Sequence, residues 1–149
     1  MPATTAILVL SHGSLAKGLV EAACMIAGKP PKLEYVCLEE GEGPDSFRRK
    51  VDAALKTLGE GDVLFLLDLF GGTPSNVASM IFLEHAQADA AGRQSFALVT
   101  GVNLGMLLEA VNNQGNMGAE DLASHLLKVY PATIVNLGRV LLEGVNKGT

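Results

Sequence analysis

Unbroken apolar runs alternate with segments of helical periodicity along this chain. Ala6–Leu10 and Val63–Leu67 are continuous and apolar, as is typical of strands that are covered on both faces of a sheet. Leu33–Leu38, which alternates between two faces, and Phe96–Thr100 are predicted to be two further strands. The pattern indicates an α/β fold, with a doubly wound, mostly parallel central sheet that is flanked by helices.

The spacing of apolar residues predicts a helix after each of these strands. The predicted helices are Leu15–Ala27, Phe47–Leu58, about Ser75–His85, about Leu104–Val111 and Ala119–Tyr130. Gly28 is expected to end the first helix, and Asp45 or Ser46 is expected to cap the second. The tail 132–142 is ambiguous between strand and helix. Because no repeat or linker interrupts the pattern, we expect a single domain over residues 1–149.

Composition narrows the range of functions. The chain is 48% apolar and 18% charged and has a net charge of -5, which favours a globular protein and argues against nucleic-acid binding. Arg48-Arg49-Lys50 is expected to be a solvated helix face. The sequence shows no basic leader, and no apolar run reaches the roughly 18 residues that are needed to cross a membrane. We therefore expect a cytoplasmic protein. Cys24 and Cys37 lack metal-type spacing and are expected to be free core residues, and we expect no metal and no cofactor.

Polar residues follow three of the four predicted strands. Ser11-His12-Gly13 ends the first strand, and Asp68 follows the third strand in the stretch D-L-F-G-G-T-P-S-N. Asn103 follows the fourth strand in T-G-V-N. Open parallel sheets bind ligands at the carboxyl ends of their strands. We therefore expect His12, Asp68, the glycines and Asn103 to meet in one crevice if the three strands are neighbours.

These residue types suit the transfer of an anionic group. Asp68 can accept a hydrogen bond from one ring nitrogen of His12, which leaves the other nitrogen as a nucleophile. Gly71-Gly72-Thr73-Pro74, at a helix start, offers backbone N–H groups to an anion such as phosphate. Pro74 suits the first helical turn. Thr73 is expected either to cap the helix or to donate its hydroxyl to the anion.

Each of these residues also has an ordinary structural interpretation. His12 could belong to a simple turn, Asp68 could cap, and Gly71-Gly72 could serve a tight turn alone. Asn76 could face solvent, and Asn103 could hold a turn. The coincidence of the three strand ends favours the functional interpretation. The other two histidines, His85 and His125, lack such a setting and are expected to be structural.

Three blocks of the sequence resemble a known family. "ILVLSHGSLAKGL", "VLFLLDLFGGTPSNVAS" and "ALVTGVNLGMLLE" are similar to the signature blocks of the enzyme IIA domain of the mannose-type phosphoenolpyruvate:sugar phosphotransferase system. The resemblance spans Ala6 to Glu109, and the middle block is the most specific. It implies a phosphoryl relay, in which the carrier HPr phosphorylates a histidine of enzyme IIA. Enzyme IIA passes the group to enzyme IIB, which phosphorylates sugar that enters through the membrane subunits IIC and IID.

The resemblance assigns roles to individual residues. It implies that His12 is phosphorylated on Nε2, that Asp68 bonds the other ring nitrogen, and that Gly71, Gly72 and Thr73 stabilise the phosphate. The residues expected on the rim of the site are Ser11, Gly13, Phe70, Pro74, Asn76 and Asn103. The family also implies a homodimer in which an antiparallel strand is exchanged, and Ala132–Asn136 is a candidate for that strand.

Two positions depart from the family pattern. Gly105 stands where proline is frequent and is expected to loosen the start of a helix. Ser75 stands where an aromatic residue is common and is expected to make the site rim more polar. No IIB-like sequence follows, so the acceptor is expected to be a separate chain.

Other functions remain open at this level. A regulatory module that signals its phosphorylation state to a partner would use the same residues. The related phosphocarrier of dihydroxyacetone kinase is disfavoured, because the Gly-Gly-Thr-Pro-x-Asn block belongs to the sugar-transport branch of the family. A His/Asp hydrolase is a poorer match, since neither a serine nucleophile motif nor a metal cluster is evident.

Overall fold

A computed structural model describes residues 3–148 of the chain. Four strands alternate with helices, and most predicted elements lie within a few residues of their predicted positions. The elements are β1 (Ala6–His12), α1 (Leu15–Ala27), β2 (Leu33–Leu38), α2 (Pro44–Leu58), β3 (Val63–Leu67), α3 (Gly72–Ala88), β4 (Phe96–Thr100), α4 (Leu104–Asn113), α5 (Ala119–Val129), a 3-10 turn (Tyr130–Thr133) and α6 (Leu137–Lys147).

The four described strands form one parallel sheet in the order β2-β1-β3-β4. The chain therefore reverses its direction of winding at β1, and β1 has β2 on one side and β3 on the other. The condition on which the expected crevice depends, that the first, third and fourth strands are neighbours, is met. Their carboxyl ends meet at one edge of the sheet, which is where open α/β sheets bind ligands.

Helices cover both faces of the sheet, which explains the unbroken apolar runs in β1 and β3. Alternate residues of each strand point to opposite faces. One face packs against α1, α4 and α5, and the other packs against α2 and α3. The buried strand residues on the first face are Ile7, Val9, Leu64, Leu66, Ala97 and Val99, and those on the second are Ala6, Leu8, Leu10, Val36, Val63, Phe65 and Leu67. The doubly wound α/β class is confirmed.

The start of α2 differs from the prediction. The helix begins at Pro44 after Gly43, and neither Asp45 nor Ser46 caps it with a side chain. Proline is favoured in the first helical turn because its missing N–H has no intrahelical partner there. The Ser46 hydroxyl instead donates to Glu42 at 2.8 Å. The capping prediction was therefore wrong, since Pro44 placed the helix start earlier than the first apolar residue indicated.

Two of the three basic residues in Arg48-Arg49-Lys50 on α2 bind other parts of the chain, so the triplet is not simply a solvated face. Arg48 bonds both Asp52, one turn along α2, and Glu84 on α3, at distances down to 2.7 Å. Lys50 donates to the backbone oxygen of Cys37 at 2.7 Å and to Glu42 at 2.9 Å. Only Arg49 matches the prediction, because the helical turn points its two neighbours toward α3 and β2.

The C-terminal tail resolves into a 3-10 turn and a helix. Residues 132–136 are not paired in the sheet of a single copy, and exchange of this segment between copies stays a prediction. Helix α6 has no buried residue. Cys24 and Cys37 are free and half-buried, and both pack against the core on the α1 side. Over residues 3–148, no helix is long and apolar enough to cross a membrane.

Candidate functional site

The site lies where β1 and β3 end. Asp68 follows β3 directly, and its backbone N–H donates to the carbonyl oxygen of Leu10 at 3.2 Å. Val102, after β4, donates in the same way to the carbonyl oxygen of Leu67 at 3.0 Å. These bonds continue the hydrogen-bonding pattern of the sheet beyond the strands. They therefore fix the backbone of Asp68 and Val102 to the core.

The His12 imidazole bonds the Asp68 carboxylate. The Nδ1 atom of His12 lies 2.8 Å from Oδ2 of Asp68. An ionised carboxylate only accepts hydrogen bonds, so Nδ1 carries the proton and donates it. The other nitrogen, Nε2, then keeps its lone pair. The His12 side chain is 44% exposed, which leaves this nucleophile open to a reactant from outside the chain.

Asp68 is itself held by the backbone. Oδ2 also accepts the backbone N–H of His12 at 2.9 Å, and Oδ1 accepts the backbone N–H of Leu69 at 2.9 Å. The carboxylate is only 7% exposed. Three N–H donors therefore fix both carboxylate oxygens of Asp68. One of these oxygens, Oδ2, accepts hydrogen bonds from both the backbone and the ring of His12. The arrangement orients the imidazole without any further side chain.

Gly72 lies directly against the nucleophile. A Cβ atom at this position would stand 2.8 Å from Nε2 and 2.9 Å from Cε1 of His12. Its φ of 82° is also in the region that favours glycine. Glycine is therefore required here both by the backbone conformation and by the space around Nε2.

The start of α3 is suited to an anion. Gly71 occupies the N-cap position and has no side chain to satisfy the first N–H groups of the helix. The first backbone N–H groups of α3 therefore have no capping side chain and stand at the positive end of the helix dipole, and the helix begins at Gly72, which lies beside Nε2. Because the helix already starts at Gly72, Thr73 lies inside it, and the prediction that Thr73 caps the helix was wrong. Donation of its hydroxyl to an anion stays a prediction.

Three of the expected rim residues are accessible. Gly13 turns the chain after His12 with a φ of 54°, and its N–H donates to the carbonyl oxygen of Leu38 at 2.8 Å. Phe70 is 87% exposed, which is unusual for a phenylalanine. Asn76 is exposed on the first turns of α3. Leu69, which sequence reasoning did not single out, is also half-exposed beside Asp68.

The other three rim residues support the site from within. Ser11 is buried, accepts the N–H of Ala16 at 2.7 Å and donates to the carbonyl oxygen of Gly13 at 3.2 Å. Pro74 is buried in the first turn of α3. Asn103 caps α4 by accepting the N–H of Met106 at 2.8 Å. Placement of Ser11 and Pro74 on the rim is corrected, because the loops fold their side chains back toward the core.

The two departures from the family pattern also have structural explanations. Ser75 is 4% exposed, so it does not make the rim more polar, and that expectation was wrong. Gly105 lies against Thr133, whose side chain would be 3.1 Å from an added Cβ. The start of α4 is not loosened, since the Asn103 cap holds it and Asn103 also donates to Thr133 at 2.9 Å.

The remaining histidines lie apart from this site. His85, near the end of α3, stacks on Phe96 with the ring centres 3.8 Å apart, and its Nε2 lies 3.1 Å from the carbonyl oxygen of Gln94. His125 bonds Glu109 across α4 and α5 at 3.2 Å. Both rings have structural partners. Among residues 3–148, no group of three His, Cys, Asp or Glu side chains is arranged to hold a metal ion.

Comparison with known proteins places this chain in a family. Residues 6–127 match the mannose-type EIIA family, described as "PTS system fructose IIA component". The chain is 35% identical to the fructose-specific EIIA component of Bacillus subtilis, over 80% of this chain and 77% of that protein. It is 33% identical to the sorbose-specific EIIA component of Lacticaseibacillus casei, over 83% of each. The mannose/sorbose-specific IIA subunit of Enterococcus faecalis superposes with a TM-score of 0.74 at 29% identity, over 90% of this chain and 95% of that chain.

Proposed function

Because this chain belongs to the mannose-type EIIA family of the phosphotransferase system, we propose that it is a phosphocarrier that shuttles a phosphoryl group on His12. Phospho-HPr is the donor and enzyme IIB is the acceptor. IIB in turn serves the membrane subunits IIC and IID, and the relay operates in the cytoplasm. The whole chain, residues 1–149, acts as one domain in this role.

The observation that carries the proposal is the bond between His12 and Asp68. With Nδ1 protonated and held 2.8 Å from the carboxylate, Nε2 is the nitrogen that attacks phosphorus. A P–N bond forms at Nε2 while the P–N bond in the donor breaks, and its electron pair returns to the donor nitrogen. The imidazole gains positive charge in this step, and the adjacent Asp68 carboxylate stabilises that charge. Transfer to IIB reverses the same steps.

The phosphoryl group is stabilised by the start of α3. Its oxygens lie beside the backbone N–H groups of Gly72 and Thr73, with the Thr73 hydroxyl as a further donor. Because little covalent chemistry is needed in phosphoryl transfer, positioning and charge stabilisation supply most of the catalysis. The sheet and α3 hold the backbone N–H donors in place before the reactant arrives. The proposed transfer therefore requires no metal or nucleotide.

Reconstitution tests the proposal directly. The chain is incubated with labelled phosphoenolpyruvate, enzyme I and HPr, and incorporation of label is followed by gel. We expect one labelled phosphoryl group per chain, stable to base and labile to acid as a phosphohistidine is. Addition of a mannose-family IIB should discharge it. Absence of label with active enzyme I and HPr would reject the function.

Asp68→Asn is expected to slow both transfer steps at least about tenfold. The amide keeps the size of the side chain but loses the charge, and its NH2 group can hold the wrong imidazole tautomer. The measurement is the single-turnover rate with phospho-HPr and then with IIB. Asp62→Asn is the matched control, since Asp62 also accepts two backbone N–H groups, those of Ser95 and Ala119, but at the other end of β3. Equal rates for both variants would remove the role given to Asp68.

We further propose that the protein is a homodimer. Helix α6 presents an apolar stripe of Leu137, Val140, Leu141 and Val145, each more than half exposed. In the described part of the chain, β4 has a neighbouring strand on one side only. Apolar surface of this kind is expected to be covered by a second copy. Light scattering should give twice the 15.5 kDa of one chain, and Leu141→Glu should shift the mass toward that of the monomer. A monomeric wild-type protein at micromolar concentration would contradict this.

A further inference from the structure

The groups that the proposed transfer uses belong to this chain, apart from the phosphoryl group and the group that it leaves. The chain supplies the nucleophile Nε2 of His12, and Asp68 orients the ring across 2.8 Å. It also supplies the uncapped first turn of α3, which begins at Gly72 beside Nε2. Because the His12 side chain is 44% exposed, a small molecule can reach Nε2 as well as a protein can. The site therefore restricts the chemistry of a donor more than its size.

Neither of the two ionisable groups of the site can protonate a leaving group. The proton on Nδ1 of His12 is donated to Asp68, on the other side of the ring from Nε2. Asp68 is only 7% exposed and accepts three N–H bonds, two from His12 and one from the backbone of Leu69. Within residues 3–148, no other ionisable side chain is hydrogen-bonded to either group. A leaving group therefore has to depart without a proton from this pair.

This restriction selects small donors whose leaving group is a weak base. In an acyl phosphate the phosphoryl group is attached to a carboxylate, whose conjugate acid has a pKa of about 4. A carboxylate therefore departs at neutral pH without being protonated. In a phosphate monoester the leaving group is an alkoxide, which is far more basic and needs an acid or a metal ion to assist its departure. The His12–Asp68 pair thus favours acyl phosphates over monoesters such as sugar phosphates.

We propose that the chain has a second loading activity, in which His12 accepts a phosphoryl group directly from a low-molecular-weight acyl phosphate, without HPr or enzyme I. The inference rests on the proposed function, because it uses the same nucleophile and forms the same phosphohistidine. A P–N bond forms at Nε2 while the P–O bond to the acyl group breaks, and the electron pair of the P–O bond leaves on the carboxylate. The imidazole keeps its proton on Nδ1, and Asp68 balances the positive charge of the ring. The products are phospho-His12 and a free carboxylate.

A second histidine–carboxylate pair in the same chain shows what the site at His12 adds. Nε2 of His125 lies 3.2 Å from Oε2 of Glu109, and the His125 side chain is 27% exposed. Both residues lie inside helices, α5 and α4, so no helix begins beside this ring. Preorganised donors for a developing anion are worth a hundredfold or more in rate. We therefore expect His12 to react with an acyl phosphate at least about a hundredfold faster than His125.

The test incubates the purified chain with acetyl phosphate alone at neutral pH and follows the product by intact-mass spectrometry and phosphorus NMR. One phosphoryl group should be added per chain. The rate should rise in proportion to the acetyl phosphate concentration, because an exposed ring offers a small donor little surface to bind. His12→Ala should lower the rate at least about a hundredfold and Asp68→Asn at least about tenfold, whereas His125→Ala should leave it unchanged. Glycerol phosphate in place of acetyl phosphate should give no product.

Parallel loading from phospho-HPr separates this activity from the proposed relay. Acetyl phosphate can also acetylate exposed lysines, and the mass of the adduct and its lability to acid distinguish the two products. The inference is overturned if the wild-type chain is only acetylated, if His12→Ala is phosphorylated as fast as wild type, or if glycerol phosphate serves equally well. Loading from phospho-HPr but not from acetyl phosphate would also overturn it and leave the proposed function intact. Loading from acetyl phosphate but not from phospho-HPr would support the inference and reject the relay.

Discussion

Replacement of His12 by alanine is expected to abolish phosphorylation by phospho-HPr, with a loss of at least about a thousandfold that reaches the detection limit. The variant lacks the imidazole nitrogen that forms the P–N bond at this site, and Asp68, which is 7% exposed, has no nitrogen that could replace it. The measurement is incorporation of labelled phosphate from phosphoenolpyruvate in the presence of enzyme I and HPr. The side chain is 44% exposed, so its removal should leave the fold intact by circular dichroism.

The other histidines provide the matched controls. His125→Ala removes a surface bond to Glu109, and His85→Ala removes a ring stacked on Phe96, but neither ring belongs to the strand ends at the site. Both variants should be labelled at the wild-type level after correction for the folded fraction. Undiminished labelling of His12→Ala, or loss of label in His125→Ala, would show that the phosphorylated residue is not His12.

Gly72→Ala is expected to slow phosphorylation by about a hundredfold or more while the protein still folds. The new methyl group would stand 2.8 Å from Nε2, well inside van der Waals contact, in the space through which the phosphoryl group must approach. The imidazole would have to swing away from Asp68, or the start of α3 would have to retreat. Either movement separates the nucleophile from the N–H groups that hold the anion. Single-turnover kinetics with phospho-HPr measures the effect.

Gly101→Ala distinguishes this blockage from backbone strain. Gly101 has a φ of 80°, nearly that of Gly72, and an added Cβ there meets nothing within 4 Å. Backbone strain should lower the free energy of unfolding of both variants by about 1 kcal/mol, and the contact with His12 should lower that of Gly72→Ala further. Only the one at Gly72 should slow the transfer. Similar rates for the two variants would show that the space beside Nε2 is not used by the reactant.

The elements of the fold were predictable because their signals are local. β2, β3, β4 and α1 have their predicted ranges, since apolar runs and periodicity mark buried faces directly. The predicted starts of α2 and α3, Phe47 and about Ser75, are too late, because proline and glycine before the first apolar residue give no periodic signal. In the structure Pro44 and Gly72 begin these helices. The tail beyond α5 was ambiguous because α6 has no core to face within one copy.

The chemistry of the site was likewise visible in the sequence, but the role of each side chain was not. His12, Asp68, the glycines and Asn103 were predicted together from the strand-end rule, and the structure brings His12, Asp68 and Gly72 into contact. Ser11, Ser75 and Pro74 were expected on the rim of the site, but they are buried. A polar residue beside a functional one in sequence can point to either side of a loop, and only the path of the backbone decides which.

The sequence by itself determined the alternation of strands and helices, the α/β class and the identity of the reactive residues, because these depend on local periodicity and on residue chemistry. Only the tertiary structure decided that one Asp68 oxygen holds both the backbone and the ring of His12, and that a side chain at position 72 would collide with Nε2. These features arise between residues as much as 60 positions apart in the chain. Strand order and loop paths set such distances, and no local pattern encodes them.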